Sequence, residues 1–239
     1  MTISEMHIAV KMGLDKTSAL ELPAFEPEEI DYWLNKAIWE FVKTRYSGNN
    51  LKGESFEQTE KRIRDINSLI KDTTFTNVVT GGSTDKPNSY TVELSSIIDF
   101  GDYPLLYILS GGEEVEIVYT ENGEEITKRQ PVTQCTIDTY DTHIADPYSE
   151  HVLYFGEAKP LRLFKGEKVE LITDGNYSIS KYFLRYLRQP ATVSLSSDDD
   201  CDLPKHTHLE IADIAVRMMI ENIESNRLQT FENQIIRNE

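Results

Sequence analysis

The first part of the chain repeats its apolar residues at the spacing of an α-helix. In residues 25–48, Pro27 stands near the first helical position, Glu28 and Glu29 follow it, and Gly48 suits the end of a helix. The apolar stripe between them consists of Ile30, Leu34, Ala37, Phe41 and Val42, widened by Trp33 and Ile38. This pattern predicts a long amphipathic helix that buries one face.

Two more helices are predicted in this part of the chain. Thr2 and Glu5 have the spacing of a capping box, and Gly13 suits a helix end, which predicts a helix of about ten residues. Residues 55–58 repeat the capping pattern before a second run, whose inward positions are Phe56, Thr59, Ile63, Ile66 and Ile70. The short polar connection between this run and the long helix predicts an antiparallel helical hairpin.

From about residue 73 the apolar period changes to two, which predicts strands. Three runs each fit a single strand: FTNVVT (75–80), SYTVEL (89–94) and ATVSLSS (191–197). Asn122-Gly123 and Asp174-Gly175 each stand between alternating runs and predict β-hairpins. Residues 135–151 are polar and rich in turn residues, so we expect a long loop there.

The helical period returns in residues 201–239. Thr207 and Glu210 predict a capped helix start, and the buried stripe consists of Ile211, Ile214, Ala215, Met218 and Ile223. We therefore predict an α+β fold with three parts. An N-terminal helical part (1–72) and a C-terminal helix with its tail (201–239) form a helical bundle, and a mostly antiparallel β region (73–200) is inserted between them.

The composition and charge of the chain exclude some classes of function. The 239 residues carry 24 basic and 41 acidic side chains, a formal net charge of −17. Tight DNA binding needs clusters of Lys and Arg, and the sequence contains no such cluster. A surface past which DNA slides is compatible with this charge. No apolar stretch is long enough to span a membrane, and the N-terminus lacks the features of a secretory signal. Flanking carboxylates should keep the Cys201 thiol unreactive, and two cysteines suit a reducing compartment.

Three groups of residues invite a metal hypothesis. His206 and His208 could begin a zinc site, but no third ligand lies near them in the sequence, so we favour histidines at a helix entry or an interface. The other two groups are Asp138, Asp141, His143 and Asp146, and Asp198, Asp199, Asp200 and Asp202. Neither follows the pattern of a calcium loop, so solvated polar loops are the favoured interpretation.

Signatures of catalysis are missing from the sequence. It contains no nucleophile elbow, no P-loop and no dinucleotide-binding fingerprint. The aromatic residues Tyr32, Trp33 and Trp39 of the long helix lie on more than one helical face, and one face alone can serve the hairpin core. The outward rings therefore belong either to a protein interface or beneath the β region.

Three stretches resemble the neck proteins of crAss-like bacteriophages. They are residues 20–48, residues 54–70, and residues 182–195 followed by 201–229, of which the run DLPKHTHLEIADIAV is the most distinctive. The resemblance implies a virion structural protein without catalytic residues or a cofactor. It implies copies of the chain in a closed ring, commonly of twelve, stacked below the portal around the DNA channel.

From this resemblance we expect a protein of the virion neck that is assembled in the host bacterial cytoplasm and touches no membrane. Its partners would be its own copies, the portal protein and adjacent neck or tail ring proteins, and DNA would pass without specific binding. Terminal residues 1–24 and 225–239 would become ordered against neighbouring subunits. The expected interface residues are Tyr32, Trp33, Trp39, His206, His208, Leu228, Phe231 and Ile235. The alternatives are a metal-dependent hydrolase and a β-rich receptor-binding or fibre module of the same virion.

Overall fold

The protein folds into two compact units. A computed structural model describes residues 1–15, 25–46, 60–81, 86–94, 105–166 and 168–222. Its helices and strands confirm the predicted α+β class. The helical unit comprises residues 1–69 and 190–239, and the β unit comprises residues 70–189. The β unit begins at 70 and ends at 189, where the sequence suggested 73 and 200, because the first strand begins at Ile70 and residues 190–200 fold with the helices.

The helical unit is built on four helices in its described part. They are α1 (Ile3–Asp15), α2 (Pro27–Tyr46), α3 (Glu60–Ile66) and α5 (His208–Asn222), and a 3₁₀ turn, Asn67–Leu69, follows α3. The stripes predicted on α2 and α5 are buried, apart from the half-buried Trp33 and from Ile223, which lies outside the described residues, and α5 packs against both α1 and α2. Burial of these apolar faces supplies most of the stability of such helices. The description of this unit as a bundle stays a prediction.

The start of α1 forms the predicted capping box. The Thr2 amide donates to the Glu5 carboxylate at 2.9 Å, and the Glu5 amide donates to the Thr2 hydroxyl at 3.3 Å. The second predicted helix ends earlier than expected. It ends at Ile66, and Ile70 is the first residue of a strand because it pairs across to Leu187.

The sequence suggested that α1 ends at Gly13. Instead, the helix continues to Asp15. Gly13 instead lies where α1 approaches α5 most closely. A Cβ atom at this position would stand 2.8 Å from Cγ2 and 3.2 Å from Cγ1 of Val216. The missing side chain therefore allows the two helices to come together.

We expect Gly13→Ala to destabilise the helical unit by about 1–2 kcal/mol, because overpacking costs about 1–3 kcal/mol and outweighs the gain in helix propensity of about 1 kcal/mol. Val216 is β-branched and cannot easily rotate away. Denaturant unfolding followed by tryptophan fluorescence measures this change, since both tryptophans lie on α2. In a Val216→Ala background the same substitution should be neutral or stabilising. A stabilising effect in the wild-type background would contradict the close approach.

The β unit contains two sheets. The first has the strand order β1-β9-β4-β5 and the second the order β2-β3-β8-β7-β6. The strands are β1 (Ile70–Phe75), β2 (Val79–Thr80), β3 (Ser89–Glu93), β4 (Leu105–Glu121), β5 (Glu124–Pro131), β6 (Thr133–Gln134), β7 (Leu161–Lys165), β8 (Lys168–Ile172) and β9 (Ser178–Arg188). The pairs between these strands are antiparallel except β6 with β7. Apolar residues of both sheets, such as Leu171 and Ile117, share one core.

The hairpin predicted at Asn122-Gly123 is confirmed, with both residues at positive φ between β4 and β5. The hairpin predicted at Asp174-Gly175 is wrong. There β8 and β9 belong to different sheets, so the turn passes the chain from one sheet to the other. The Asp174 carboxylate accepts bonds from the Asn176 and Leu153 amides, each at 2.9 Å, which fixes this crossing.

Two further predictions in this part of the chain are wrong. Residues 191–197 form no strand but a turn, in which the Val193 amide donates to the Asn35 side chain and the Leu195 amide to Asp31, both on α2. Residues 135–151 are not all loop, because α4 (Ile137–Ala145) lies within them. Thr136 and Thr139 form a capping box at its start, a variant without the expected Glu or Gln.

Candidate functional site

His208 holds the start of α5 in place. Its side chain is 2% exposed, with Nδ1 3.1 Å from the carbonyl oxygen of Met1 and Nε2 2.8 Å from that of Leu203. A zinc ion needs a ring nitrogen with a free lone pair. Since both nitrogens of His208 face carbonyl oxygens, this histidine is engaged in structural contacts and not placed to bind a metal.

His206 belongs to a cluster of charged side chains that we call the Arg45 cluster. It contains Arg45, Asp65, Glu210 and His206. Arg45 Nε lies 3.0 Å from the Asp65 carboxylate, His206 Nε2 lies 2.9 Å from the same carboxylate, and Arg45 also pairs with Glu210. Arg45 and Asp65 are buried, whereas the His206 ring is more than half exposed. The cluster joins the end of α2 to α3 and to the first turn of α5.

Three of the acidic residues considered as cation ligands bond to backbone amides instead. Asp200 accepts a bond from the Ile3 amide at 2.6 Å, and Asp202 accepts one from the Ala191 amide at 3.0 Å. Asp146 accepts a bond from the Tyr148 amide at 2.9 Å. Within the described ranges, no group of three or more His, Cys, Asp or Glu residues is arranged to hold a metal ion.

The three aromatic residues expected at an interface lie along α2. Tyr32 is exposed and meets Trp33 edge-to-face, with ring centroids 5.3 Å apart. Trp33 and Trp39 are half-buried and are covered by the ammonium groups of Lys36 and Lys43. Their place in an interface stays a prediction. Leu228, Phe231 and Ile235 lie outside the described residues.

One exposed group of rings, which we call the aromatic turn, was not predicted from the sequence. It contains Tyr148, Tyr154 and Phe155, of which Phe155 is fully exposed and Tyr148 is 82% exposed. The rings of Tyr148 and Tyr154 stack with centroids 6.4 Å apart. Their one signal in the sequence was the aromatic pair Tyr154-Phe155 before a glycine in a polar stretch. A monomer gains nothing from holding such rings in water, so the surface suggests a partner.

The aromatic turn is held rigidly. Tyr154 and Glu157 exchange two backbone hydrogen bonds of 3.0 and 2.9 Å around Phe155 and Gly156, whose φ angles are 49° and 74°. These positive angles are those of a type I′ turn. Lys128 donates to the Gly156 carbonyl at 3.1 Å, and a Cβ atom at Gly156 would meet the Tyr119 hydroxyl at 2.3 Å. Glycine is therefore required at 156.

A second buried charge cluster crosses the β unit. Arg162 on β7 lies 2.9 Å from the Glu113 carboxylate on β4, and the Tyr182 hydroxyl on β9 donates to the same carboxylate at 2.6 Å. All three side chains are buried. Burial raises the pKa of Glu113, while Tyr182 and Arg162 act in the opposite direction. Because β7 belongs to one sheet and β4 and β9 to the other, this cluster ties the two sheets together.

Residues 1–230 match the profile of the family described as "Phage tail ring protein 3/4". The match covers nearly the whole chain. The chain belongs to this family of phage ring proteins. Together with the two relatives described next, this match confirms the resemblance to ring proteins of crAss-like phages.

Two relatives of this family come from Bacteroides phage crAss001. "Ring protein 4/5" is 26% identical over 212 residues, which cover 82% of this chain and 82% of that protein. "Ring protein 3" is 25% identical over 210 residues, which cover 79% of this chain and 81% of that protein. The chain is thus similar to two ring proteins of one phage, which supports a structural ring protein of the virion.

Two other observations bear on what the sequence led us to expect of Cys201 and of membrane-spanning segments. Burial, with a smaller contribution from Asp202 and Asp200, raises the pKa of the Cys201 thiol to about 11. Burial therefore raises this pKa more than the flanking carboxylates, to which the sequence pointed. In the part of the chain that the structure describes, no helix is both long and apolar enough to cross a membrane.

Proposed function

We propose that this chain is the subunit of a closed ring in the neck of the virion. In this proposal the ring joins the portal and head to the tail and surrounds the channel through which DNA passes. The observation that carries it is the family match over residues 1–230. The subunit acts through surfaces matched to its own copies and to adjoining rings, and it catalyses no reaction.

The chemistry of the described side chains supports this proposal over a metal-dependent hydrolase. The two histidines that suggested a zinc site are bound to carbonyl oxygens and to Asp65. Three of the acidic residues that suggested cation sites, Asp146, Asp200 and Asp202, accept backbone hydrogen bonds. The formal net charge of −17 repels a DNA backbone, which suits passage through a channel without adhesion.

The proposal assigns ring closure and docking to exposed aromatic and apolar residues. Tyr32, Trp33 and Trp39 on α2 would contact a neighbouring subunit or ring, as would Leu228, Phe231 and Ile235 in the C-terminal stretch. His206 would contribute at the edge of such an interface through its exposed ring, and His208 by fixing the helix behind it. Twelve copies, assembled in the host cytoplasm and docked to the portal or an adjacent ring, complete the proposal.

The mass of the assembled species tests this function. Native mass spectrometry of the purified chain should give twelve times 27.4 kDa, and cross-linking of purified virions should connect the chain to its own copies and to portal or ring proteins. Deleting residues 225–239 should reduce ring formation while the remaining chain unfolds at the same denaturant concentration. At a protein concentration low enough for both to be monomers, the deletion and the full chain should unfold together and have the same tryptophan emission.

Other outcomes favour the alternative functions. Stoichiometric zinc in the purified chain, together with turnover by a monomer, would support the hydrolase. A trimer that cross-links to fibre proteins would support the receptor-binding module. Absence of the chain from purified virions would contradict every structural role in the particle.

A further inference from the structure

We propose that the aromatic turn is the contact through which one copy of this chain binds the next in the ring. The surface that receives it is the opposite side of the β unit, formed by β1 and β2 around Val79. This inference rests on the proposed ring and names the two surfaces that would close it.

Strain in the turn indicates that the phenylalanine serves a purpose other than folding. Phe155 has a φ of 49°, which is unusual for a bulky residue, and its ring is fully exposed. The hairpin turn between β4 and β5 has the same signs of φ but uses Asn122-Gly123, the residues that such turns prefer. Folding alone would favour asparagine at 155. Retention of a strained, solvent-facing ring is the pattern expected of a functional site.

The strand order places the turn and Val79 on opposite sides of the β unit. Strands β1 and β2 are outermost in their two sheets, and residues 76–78 alone separate them, so they form one side. Strands β5 and β6 are outermost at the other ends and are separated by Val132, so they form the other side. The turn lies at the β5 side, because Lys128 of β5 donates to its Gly156 carbonyl.

A ring built head-to-tail requires two different surfaces that complement each other on opposite sides of the subunit. The β5 side offers the exposed rings of Tyr148 and Phe155. The β1 and β2 side offers Val79, which is 58% exposed on a strand of two residues, and the outer edge of β1. Outermost strands and exposed apolar residues are surfaces that bind other chains.

The two sides of the β unit also differ in charge, in a way that favours contact between copies. Residues 136–157, which carry the aromatic turn, contain five exposed carboxylates, and the two lysines beside them are Lys159, which pairs with Glu150, and Lys128, so the surface keeps a net negative charge. On the other side, Lys71 and Arg185 outnumber Asp72, which pairs with Arg185 at 3.7 Å. In a chain of net charge −17, two acidic surfaces would repel each other. The acidic turn therefore fits the β1 and β2 side of a second copy.

Phe155→Asn tests this contact without disturbing the fold, because asparagine is favoured at this φ. We expect the free chain to unfold at the same or a higher denaturant concentration. We expect each contact between copies to weaken by about thirtyfold, the effect typical of a central aromatic residue at an interface. Phe155→Tyr should assemble like the wild type. Native mass spectrometry across a dilution series measures all three proteins.

Disulfide cross-linking identifies the receiving surface. A chain with both Phe155→Cys and Val79→Cys should form a ladder of covalently linked copies under mild oxidation, because each chain then carries both halves of the contact. A mixture of the two single variants should stop at dimers. Background from the natural thiols is low, since Cys135 is buried and the pKa of Cys201 is about 11.

The outcomes separate this inference from the proposed ring. Wild-type rings together with undiminished rings of Phe155→Asn would overturn the inference and leave the ring intact. Rings of the double-cysteine chain without a ladder would show that another surface receives the turn. Links from position 155 to a different virion protein would assign the turn to docking between rings. Failure of the wild type to form any ring would contradict the proposed function itself.

Discussion

Replacing Arg162 with methionine will lower the free energy of unfolding of the β unit by about 3–5 kcal/mol, the usual cost of removing one partner from a buried ion pair. The substitution leaves the Glu113 carboxylate buried between the sheets with the Tyr182 hydroxyl as its remaining neighbour in this cluster. A domain of this size is stable by about 5–15 kcal/mol, so the loss is a large fraction of the total. Hydrogen exchange of peptides from β4 and β9 measures it.

Arg129→Met is the matched control for Arg162→Met. Arg129 pairs with Glu114, the residue after Glu113, but on the exposed side of the sheet. Exposed pairs contribute less than about 1 kcal/mol, so this variant should remain close to the wild type. A double variant with Glu113→Gln and Arg162→Met should recover part of the loss, because no charge is then left buried. Equal effects of Arg162→Met and Arg129→Met would contradict the importance of burial.

The same cluster sets the direction of a pH effect. Burial raises the pKa of Glu113 above its ordinary value of 4.5, so the folded chain holds this proton to a higher pH than the unfolded chain. The stability from this group is therefore complete below pH 4.5 and is lost as the pH rises through the folded pKa. Arg162 opposes this loss, so Arg162→Met should lose stability more steeply than the wild type as the pH rises above 4.5.

Replacing Arg45 with methionine should cost the helical unit a similar amount, about 3–5 kcal/mol. Arg45 neutralises Asp65, which is buried, and Glu210, which is nearly so. Without the guanidinium, the Asp65 and Glu210 carboxylates lose the cation that lies between them at the junction of α2, α3 and α5. Denaturant unfolding followed by the fluorescence of Trp33 and Trp39 reports on this unit alone, because the chain has no other tryptophan.

Arg64→Met is the control for Arg45→Met. Arg64 is on α3 beside Asp65, but its own partner is Glu60, one helical turn away, and both side chains are exposed. Such a pair contributes about 0.3–0.5 kcal/mol. If Arg45→Met and Arg64→Met shifted the unfolding midpoint equally, the Arg45 cluster would not be holding the three helices together.

The sequence predicted most features that depend on neighbouring residues. The buried faces of α2 and α5 follow from their own periodicity, and the Asn122-Gly123 hairpin follows from its turn residues. Asp174-Gly175 failed because the same turn residues serve whenever a chain reverses, whether or not the flanking strands pair. The choice between one sheet and two depends on the register of β8 and β9 with distant strands.

The candidate sites could be predicted less well, because their contacts depend on residues that are far apart in the sequence. The partners of His206 and His208 are Asp65, Met1 and Leu203, two of which are far away in the sequence. The Arg45 cluster joins three helices that no local pattern connects. The aromatic turn left a faint trace, because Phe155 reads as an ordinary core residue until its surroundings are known. Gly13 was misread because a helix end and a close helix contact both favour glycine.

The route of the chain between its two units has a consequence for inheritance. Ile70 and Leu187 are partners in the adjacent strands β1 and β9, so the chain enters and leaves the β unit at neighbouring points. A segment whose ends emerge side by side can be exchanged like a cassette, since its removal breaks neither core. Recombining genomes could therefore fit one helical frame with different β modules and diversify it in a single genetic event.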